Sequence, residues 1–341
     1  MRARLAVIGL GRMGRLHAFN LAGRVASAEL AVVVDAVAPL ARNVAELHGV
    51  EWSASVEEVL GDARVDGVVI AAPTGLHCEL VERAARSGKH VLCEKPLGFE
   101  VETASVAVAA AAAAGVELQV GYQRRFDPDW MALKDSLDGG ELGSLNLLRC
   151  SHRDARPPAA ALGDLFFDVA VHDLDAAHWM GGEVAEVFAV PRVSGDAVVA
   201  AAIALRFESG ALGAIDLCRD AGYGFECSAE VVGSMATART GYAHRRGEVE
   251  LLREGRASAW VSADHAERHA AAYVAELEHF GEVVTGRRAP RCGGEDALAA
   301  LELAGMAKRS AEVGAPVRAQ SRAPLGANRG AQALPPLGAS R

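Results

Sequence analysis

One short segment, VIGLGRMG at residues 7–14, constrains the fold more than any other part of this sequence. It follows an apolar run and opens a helical pattern, and its three glycines have the spacing G-x-G-x-x-G. That spacing suits a tight turn at Gly9, a bare backbone at Gly11 where a pyrophosphate approaches, and close contact between helix and strand at Gly14. The segment therefore predicts the first turn of a dinucleotide-binding βαβ unit.

Strand and helix patterns alternate along the first 122 residues. Short apolar runs, too continuous for half-exposed strands, occur at 3–9, 30–35, 65–73, 90–96 and 116–122. Helical stretches separate them at 12–22, 38–48, 77–86 and 99–114. This alternation implies right-handed crossovers and a parallel sheet that is covered on both faces. We predict an α/β fold that begins with a Rossmann domain over residues 1–122.

The pattern changes after a predicted linking helix at 129–138. Longer alternating runs, joined by short Gly, Ser and Asp turns, occur at 183–193, 196–210, 211–220 and 225–240. Further helices are predicted at 167–180, 267–285 and 295–313. We predict a second, mostly antiparallel α+β domain over residues 123–315. Residues 316–341 are rich in Pro, Gly, Ala and Arg without an apolar period, which predicts a disordered tail.

Charge and composition exclude several classes of partner. The formal net charge is −9, and lysines and arginines form no stripe that could follow a phosphate backbone, so we expect no nucleic-acid partner. The sequence enters a strand pattern at once and contains no run of ~18 apolar residues, so we expect a cytoplasmic protein without a membrane partner. Its six cysteines form no C-x-x-C pair, which favours free thiols.

An aspartate identifies the preferred dinucleotide. Asp35 ends the second predicted strand about 20 residues after Gly14, where a carboxylate accepts from both ribose hydroxyls. Its charge repels a 2′-phosphate, so NAD is favoured over NADP, although Arg42 lies only a turn or two farther along. The residues predicted to bind the cofactor are Gly9, Gly11, Arg12, Met13, Gly14, Asp35, Pro73, Thr74, His77, Glu94 and Lys95.

A lysine at the end of an apolar run needs an explanation. Glu94 and Lys95 end the predicted strand in HVLCEKP, and strand ends of an open α/β sheet point into the crevice where ligands bind. Lys95 is therefore a candidate for direct contact with cofactor and substrate. Its position alone also allows a solvated lysine that pairs with Glu94.

A second candidate group lies in LFFDVAVHDLDAAHWM, residues 165–180. In an α-helix, Asp168, His172, Asp175 and Trp179 fall on one face. A carboxylate one turn from a histidine can fix the imidazole tautomer, as a general base requires. Spacing alone favours the plainer alternative, in which Asp168 caps the helix and His172 lies on a solvated surface.

Metal and nucleophile motifs are missing from the sequence. His77 and Cys78 have no further ligands at zinc spacing, so we predict no metal site. HAERH at 265–269 has its glutamate at the wrong position for H-E-x-x-H, and no G-x-S-x-G occurs.

Four motifs together resemble a known family. The glycine fingerprint, CEKP, GYQRRFDP and DVAVHDLD occur in the order and spacing of the Gfo/Idh/MocA oxidoreductases, over about residues 3–317. Within that family the likeness is closest to the inositol 2-dehydrogenases, through RRFDP, HDLD and a late GED segment. The resemblance implies a Rossmann domain followed by a large open antiparallel sheet that builds homodimers or homotetramers.

The resemblance also implies an activity. It assigns catalysis to Lys95, Asp168 and His172, and the substrate pocket to those three with Arg124, His152 and Tyr223. The implied reaction is NAD-dependent oxidation of a secondary hydroxyl of a cyclic polyol or sugar to a ketone. In it, His172 takes the hydroxyl proton, Asp168 orients His172, and Lys95 binds the reacting oxygen.

The chain departs from the inositol enzymes on the substrate side. The segment before Asp168 is several residues shorter, a customary Gly-Gly is Gly163-Asp164, and a Tyr-Gly-Tyr-Asp segment is YGFE at 223–226. Two alternatives therefore remain open: a sugar dehydrogenase or ketoreductase of a biosynthetic pathway, and a non-catalytic NAD-sensing regulator.

Overall fold

The computed structural model describes residues 2–155, 163–241, 262 and 264–319. Its first sheet contains β1 (Ala3–Ile8), β2 (Ala28–Val34), β3 (Glu51–Ser53), β4 (Gly67–Ile70), β5 (His90–Glu94) and β6 (Leu118–Gly121). All neighbours are parallel, in the order β3-β2-β1-β4-β5-β6, which confirms the predicted Rossmann sheet. The three-residue edge strand β3 was not predicted, because it is too short to show a period and two of its residues are exposed.

The second sheet has seven strands among the described residues. They are β7 (Leu145–Ala155), β8 (Val184–Ser194), β9 (Ala197–Phe207), β10 (Leu212–Ala221), β11 (Glu226–Gly233), β12 (Thr237–Thr240) and β13 (Val317–Arg318). The order is β12-β11-β7-β10-β9-β8-β13, and only β7 and β10 run parallel. This confirms the predicted mostly antiparallel sheet.

Three parts of this sheet differ from the sequence prediction. The run predicted at 225–240 is two antiparallel strands, β11 and β12, joined by residues 234–236. The central strand β7 was not predicted, because polar side chains follow one another at 151–154 and obscure its alternation of buried and exposed residues. β13 pairs with β8 although it falls inside the segment predicted as a tail. The rest of that prediction, residues 320–341, lies outside the described residues.

Helices cover both faces of the Rossmann sheet. The helices of the first domain are α1 (Arg12–Gly23), α2 (Ala38–His48), α3 (Val56–Leu60), α4 (His77–Arg86) and α5 (Val101–Ala114). Those that follow are α6 (Pro128–Asp138), α7 (Val171–Gly181), α8 (His265–Arg268), α9 (Ala270–Val284) and α10 (Gly294–Val313). A π-helical turn, Phe166–Ala170, runs directly into α7.

The chain's last helices return to the first domain. Alternate residues of β1 enter different cores: Leu5 packs with Leu277 and Phe280 of α9, whereas Ile8 packs in the large core that continues into the second domain. The two domains therefore share buried surface, and the carboxyl ends of β1, β4 and β5 face the second sheet. No helix within the described ranges is long and apolar enough to cross a membrane.

Candidate active site

The glycine loop has the geometry that a dinucleotide requires. Gly9 has a φ of +88°, and a Cβ there would lie 2.7 Å from the Ala72 backbone. A Cβ on Gly14 would lie 1.8 Å from the carbonyl oxygen of Gly9, whereas a Cβ on Gly11 would meet open space. Gly11 also precedes α1 without any side-chain cap, so the first N–H groups of the helix are free to bind a phosphate.

Asp35 lies beside this loop at the end of β2. Its Oδ2 accepts from the Leu10 N–H at 2.8 Å, and its Oδ1 accepts from the Val37 N–H at 2.8 Å. Each oxygen keeps a lone pair for a ribose hydroxyl, so the carboxylate is fixed and still able to bind. The Arg42 guanidinium lies over the ring of Trp52, 5.2 Å from its centre. A fixed carboxylate at the ribose position fits NAD, whose ribose carries two free hydroxyl groups.

A cavity of about 630 Å³ lies between the glycine loop and the second sheet, within the size range of small-molecule sites. It is lined by Arg12, Met13, Ala71, Ala72, Thr74, His77, Glu94, Lys95, Gln123, Arg124, His152, Asp154, Ala155, Asp168, Val169, His172, Arg219, Phe225, Asp264, His265 and Tyr273. Most of the predicted catalytic and substrate residues are therefore brought together in one cavity.

Tyr223 is the predicted substrate residue that does not line this cavity. Its hydroxyl donates to the Glu226 carboxylate at 2.7 Å. Phe225, two residues farther along, lines the cavity instead and is almost fully buried. Its ring makes an edge contact with the His152 ring at 5.2 Å.

Lys95 reaches across from the first domain to the second. Its Nζ donates to the backbone carbonyl of Asp168 at 2.8 Å and lies 3.5 Å from the Asp168 Oδ1. Glu94 does not pair with this ammonium: its Oε1 lies 2.7 Å from Nε2 of the buried His17. The contacts of Lys95 thus differ from those of a solvated strand-end lysine.

The Asp168 carboxylate is held between two cations. Its Oδ2 accepts from Nη2 of Arg219, whose Nη1 donates to the Gly163 carbonyl at 2.8 Å. Burial acts to raise the pKa of Asp168, but the charges of Lys95 and Arg219 outweigh it and hold the pKa below its usual value. Arg219 was not predicted.

His172 is a neutral imidazole inside the cavity. Burial lowers its pKa well below the usual range, and the charges of Lys95 and Arg124 lower it further. Its Nδ1 is buried without a hydrogen-bond partner, and its ring makes an edge contact with Tyr122 at 6.2 Å. A neutral imidazole can accept a proton.

The predicted hydrogen bond from His172 to Asp168 is absent among the described residues. Both oxygens of Asp168 face cations, and Asp164, not Asp168, accepts from the N–H of Phe166 at the start of the helical segment. The π turn at Phe166–Ala170 accounts for the difference, because it has more residues per turn than an α-helix and rotates Asp168 relative to His172.

A buried network supports two predicted substrate residues from behind. The Asp173 carboxylate accepts from Nη1 of Arg124 at 2.7 Å, and its other oxygen lies 2.9 Å from Nδ1 of His152. Burial opposes ionisation of Asp173, but Arg124 and His152 lower its pKa to about 2. When His152 donates from Nδ1 to this carboxylate, its Nε2 remains an acceptor for a ligand hydroxyl. Asp173 was not predicted.

His77 connects the two strand-end loops on the cofactor side. Its Nδ1 lies 2.8 Å from the Pro96 carbonyl and its Nε2 lies 2.8 Å from the Ala72 carbonyl. The ring is buried, so it positions the loops next to Lys95 through both nitrogens. Thr74 starts a short 3-10 turn directly after Pro73 and lines the cavity. The described residues contain no group of three side chains able to hold a metal ion.

Comparisons with known proteins agree with this geometry. Residues 3–122 match the Gfo/Idh/MocA model described as an oxidoreductase family with an NAD-binding Rossmann fold, and residues 134–318 match the model of its C-terminal alpha/beta domain. The chain is 36% identical over 323 residues to a myo-inositol 2-dehydrogenase of Thermotoga maritima, covering 91% of this chain and 96% of that protein.

Further relatives are equally well covered. A scyllo-inositol 2-dehydrogenase (NAD(+)) of Bacillus subtilis is 35% identical over 331 residues, covering 93% of this chain and 96% of that protein. The crystal structure of a myo-inositol dehydrogenase from Corynebacterium glutamicum superposes with a TM-score of 0.84 at 30% identity, covering 94% of this chain and 100% of that one. The chain, with its NAD-binding Rossmann domain, belongs to the Gfo/Idh/MocA oxidoreductase family.

Proposed function

We propose that this protein oxidises a secondary hydroxyl of an inositol-like cyclic polyol, or of a sugar, to a ketone with NAD. The observation that carries the proposal is the contact of Lys95 from the first domain with Asp168 from the second, in a cavity that also contains His172. An ammonium, a carboxylate and a neutral imidazole around one cavity can bind a hydroxyl and remove its proton.

Each catalytic side chain has a distinct task. Lys95 has three N–H donors and uses them on Asp168 only in part, so it can donate to the substrate oxygen and stabilise the alkoxide that develops there. His172 accepts the hydroxyl proton. Asp168 holds Lys95 in place through its backbone carbonyl at 2.8 Å, while its carboxylate lies at the longer distance of 3.5 Å. This replaces the orienting role toward His172 that the helical spacing predicted.

The reaction balances with these groups. The O–H bond breaks and its proton goes to His172, while the neighbouring C–H bond breaks and leaves a C=O bond. NAD, when bound, supplies the acceptor for the hydride and its electron pair. Arg124 and His152 face the same cavity from the buried network and are suited to hold the substrate's other hydroxyl groups.

A polyol substrate is supported by the relatives that act on myo- and scyllo-inositol and by the polar lining of the cavity. Phe225 adds one apolar wall beside His152. Such a wall favours a substrate that presents C–H groups on that side.

The test is kinetic. Reduced NAD is followed by absorbance over a panel of inositols, hexoses and their ketones, in both directions. Lys95→Ala and His172→Ala should each lower kcat on the active substrate by on the order of a hundredfold or more. NAD affinity, measured by calorimetry, should stay close to wild type in both variants.

A matched lysine provides the control. Lys134 pairs with Asp138 one turn away within α6 and does not line the cavity, so Lys134→Ala should keep wild-type kcat. Turnover confined to reduction of a keto-sugar would favour a biosynthetic ketoreductase. NAD binding without turnover of any compound would contradict the proposal and favour a regulator.

The same proposal includes a homodimer or homotetramer that forms through the open face of the second sheet. Small apolar residues occupy neighbouring exposed positions on this face, including Ala202, Ala204, Ala214 and Val190. Light scattering of the purified protein would give the mass of the assembly, and a monomer at micromolar concentration would contradict it.

A further inference from the structure

Within the part of the chain that the structure describes, Arg219 is a charged side chain that contacts a proposed catalytic group and was not predicted. It lies near the end of β10, its side chain is 3% exposed, and it lines the cavity beside Asp168. We propose that Arg219 is a positioning residue, an inference that rests on the proposed function. By binding the Asp168 carboxylate, Arg219 prevents it from forming a close ion pair with Lys95, so that Lys95 stays available to the substrate oxygen.

The contacts of Arg219 are specific for this task. Its Nη2 donates to the Asp168 Oδ2 and its Nη1 donates to the Gly163 carbonyl, so both terminal nitrogens of the guanidinium are held by hydrogen bonds. Its Nε is buried without a partner. Among the described residues, Arg219 is the only hydrogen-bond partner of the Asp168 Oδ2.

Competition for the carboxylate explains why this matters. Lys95 binds the Asp168 backbone carbonyl at 2.8 Å, but its contact to Oδ1 is long, at 3.5 Å. Without Arg219, the carboxylate loses its second cation and can turn fully toward Lys95. A close ion pair would then occupy N–H donors of Lys95 that the reacting oxygen needs.

Arg219 also keeps Asp168 charged. Burial raises the pKa of this carboxyl, and Lys95 and Arg219 both lower it. Removing Arg219 therefore raises the pKa of Asp168, so that Asp168 becomes protonated at a higher pH. The acid side of the pH–rate profile, which also reports protonation of the base His172, should move to higher pH, because the variant removes a positive charge from the cavity.

The experiment uses the full-length enzyme and four variants: Arg219→Gln, Arg219→Lys, Asp168→Asn and the double variant R219Q/D168N. Arg219→Gln should lower kcat by about ten- to hundredfold, the effect of one charge-assisted hydrogen bond, with little change in KM. Arg219→Lys restores a cation and should recover part of the loss. In the Asp168→Asn background, Arg219→Gln should cost about threefold or less, because there is no carboxylate left to hold.

A second measurement does not depend on turnover. In a crystal structure of the Arg219→Gln variant, the Asp168 carboxylate should lie within 3 Å or so of the Lys95 Nζ, the distance of a close ion pair. Arg206, which pairs with Glu186 on the same sheet away from the cavity, provides the control, and Arg206→Gln should keep wild-type kcat.

The outcomes separate the two proposals. Absence of turnover in the wild-type enzyme would contradict the proposed function, and the crystal structure would still decide on the placement of Asp168. Equal losses from Arg219→Gln in the presence and absence of the Asp168 carboxylate, or a carboxylate that keeps its place in the variant crystal, would overturn the role of Arg219.

Discussion

Two aspartates of the helical segment 166–181 each pair with an arginine, and the two pairs differ in their exposure to solvent. Asp175 of α7 binds Arg125 at 2.7 Å, and the two side chains are 1% and 3% exposed. Asp168, two turns earlier, binds Arg219 and Lys95, and its side chain is 46% exposed toward the cavity. The first pair is sealed inside the protein and the second is open to a ligand.

The sealed pair stabilises the fold, whereas the open pair belongs to the proposed catalytic site. Arg125 also binds Asp296 at the start of α10, so the sealed pair joins the turn that follows β6 to the helices α7 and α10. In that pair, both oxygens of Asp175 accept from Arg125, which also donates to Asp296 and to the Arg291 carbonyl. Beside the open pair, Lys95 keeps donors that Asp168 does not use, and His172 lines the same cavity, so groups remain for a substrate.

Breaking the sealed pair should have the largest effect. Arg125→Met leaves the buried Asp175 without its cation, and we expect the free energy of unfolding to fall by about 3–5 kcal/mol. Urea denaturation followed by circular dichroism measures this loss. The double variant R125M/D175L removes both charges and should recover much of it. A loss below about 1 kcal/mol in the single variant would show that the pair is not sealed.

Acidification should lower the stability of the folded protein in a defined pH window. Burial lowers the pKa of His265 and of His269 to about 4, so both are neutral in the folded protein, whereas in the unfolded chain they take up protons below pH 6.5. The unfolded state then binds more protons, so stability present above pH 6.5 is lost as the pH falls toward 4.

The expected loss is on the order of 2 kcal/mol per histidine at pH 5 relative to pH 7. Thermal unfolding at a series of pH values measures it. His265→Phe removes one titrating ring and should flatten the profile. A melting temperature that is independent of pH between 7 and 5 would contradict the expectation.

Neutralising the open pair should change activity and leave stability nearly intact. Asp168→Asn keeps the shape of the side chain but weakens its hold on Lys95 and Arg219, so kcat should fall by about tenfold or more. The free energy of unfolding should change by less than about 1 kcal/mol, because the carboxylate is partly solvated. Parallel kinetics and urea denaturation distinguish this variant from Arg125→Met. Loss of stability without loss of kcat would reverse the assignment of the two pairs.

Much of the fold could be predicted from the sequence because its strongest signals are local. The glycine spacing and the continuous apolar runs predict the Rossmann sheet, since its central strands are buried on both faces. β3 was missed because three residues have no period. β7 was missed because its inward positions near the cavity carry polar residues such as His152, so the functional end of the strand lacks the apolar pattern.

The site could be predicted less completely because its contacts join distant parts of the chain. The sequence of residues 165–180 contains no signal that predicts the π turn. The spacing of an α-helix therefore predicted a hydrogen bond from His172 to Asp168 that the structure does not contain among its described residues. One signal could have identified Arg219. In β10 it continues the buried alternation of Ile215 and Leu217, and an arginine is rarely buried unless an acidic partner binds it.

The central claim is that Lys95 and His172 meet at one oxygen atom of the substrate. A crystal structure of the enzyme with NADH and the active polyol, a complex that cannot turn over, tests it most directly. We expect one hydroxyl oxygen within hydrogen-bond distance of both the Lys95 Nζ and a ring nitrogen of His172, with its carbon next to the nicotinamide. A polyol bound beside the nicotinamide with its hydroxyl groups out of reach of either side chain would contradict the account.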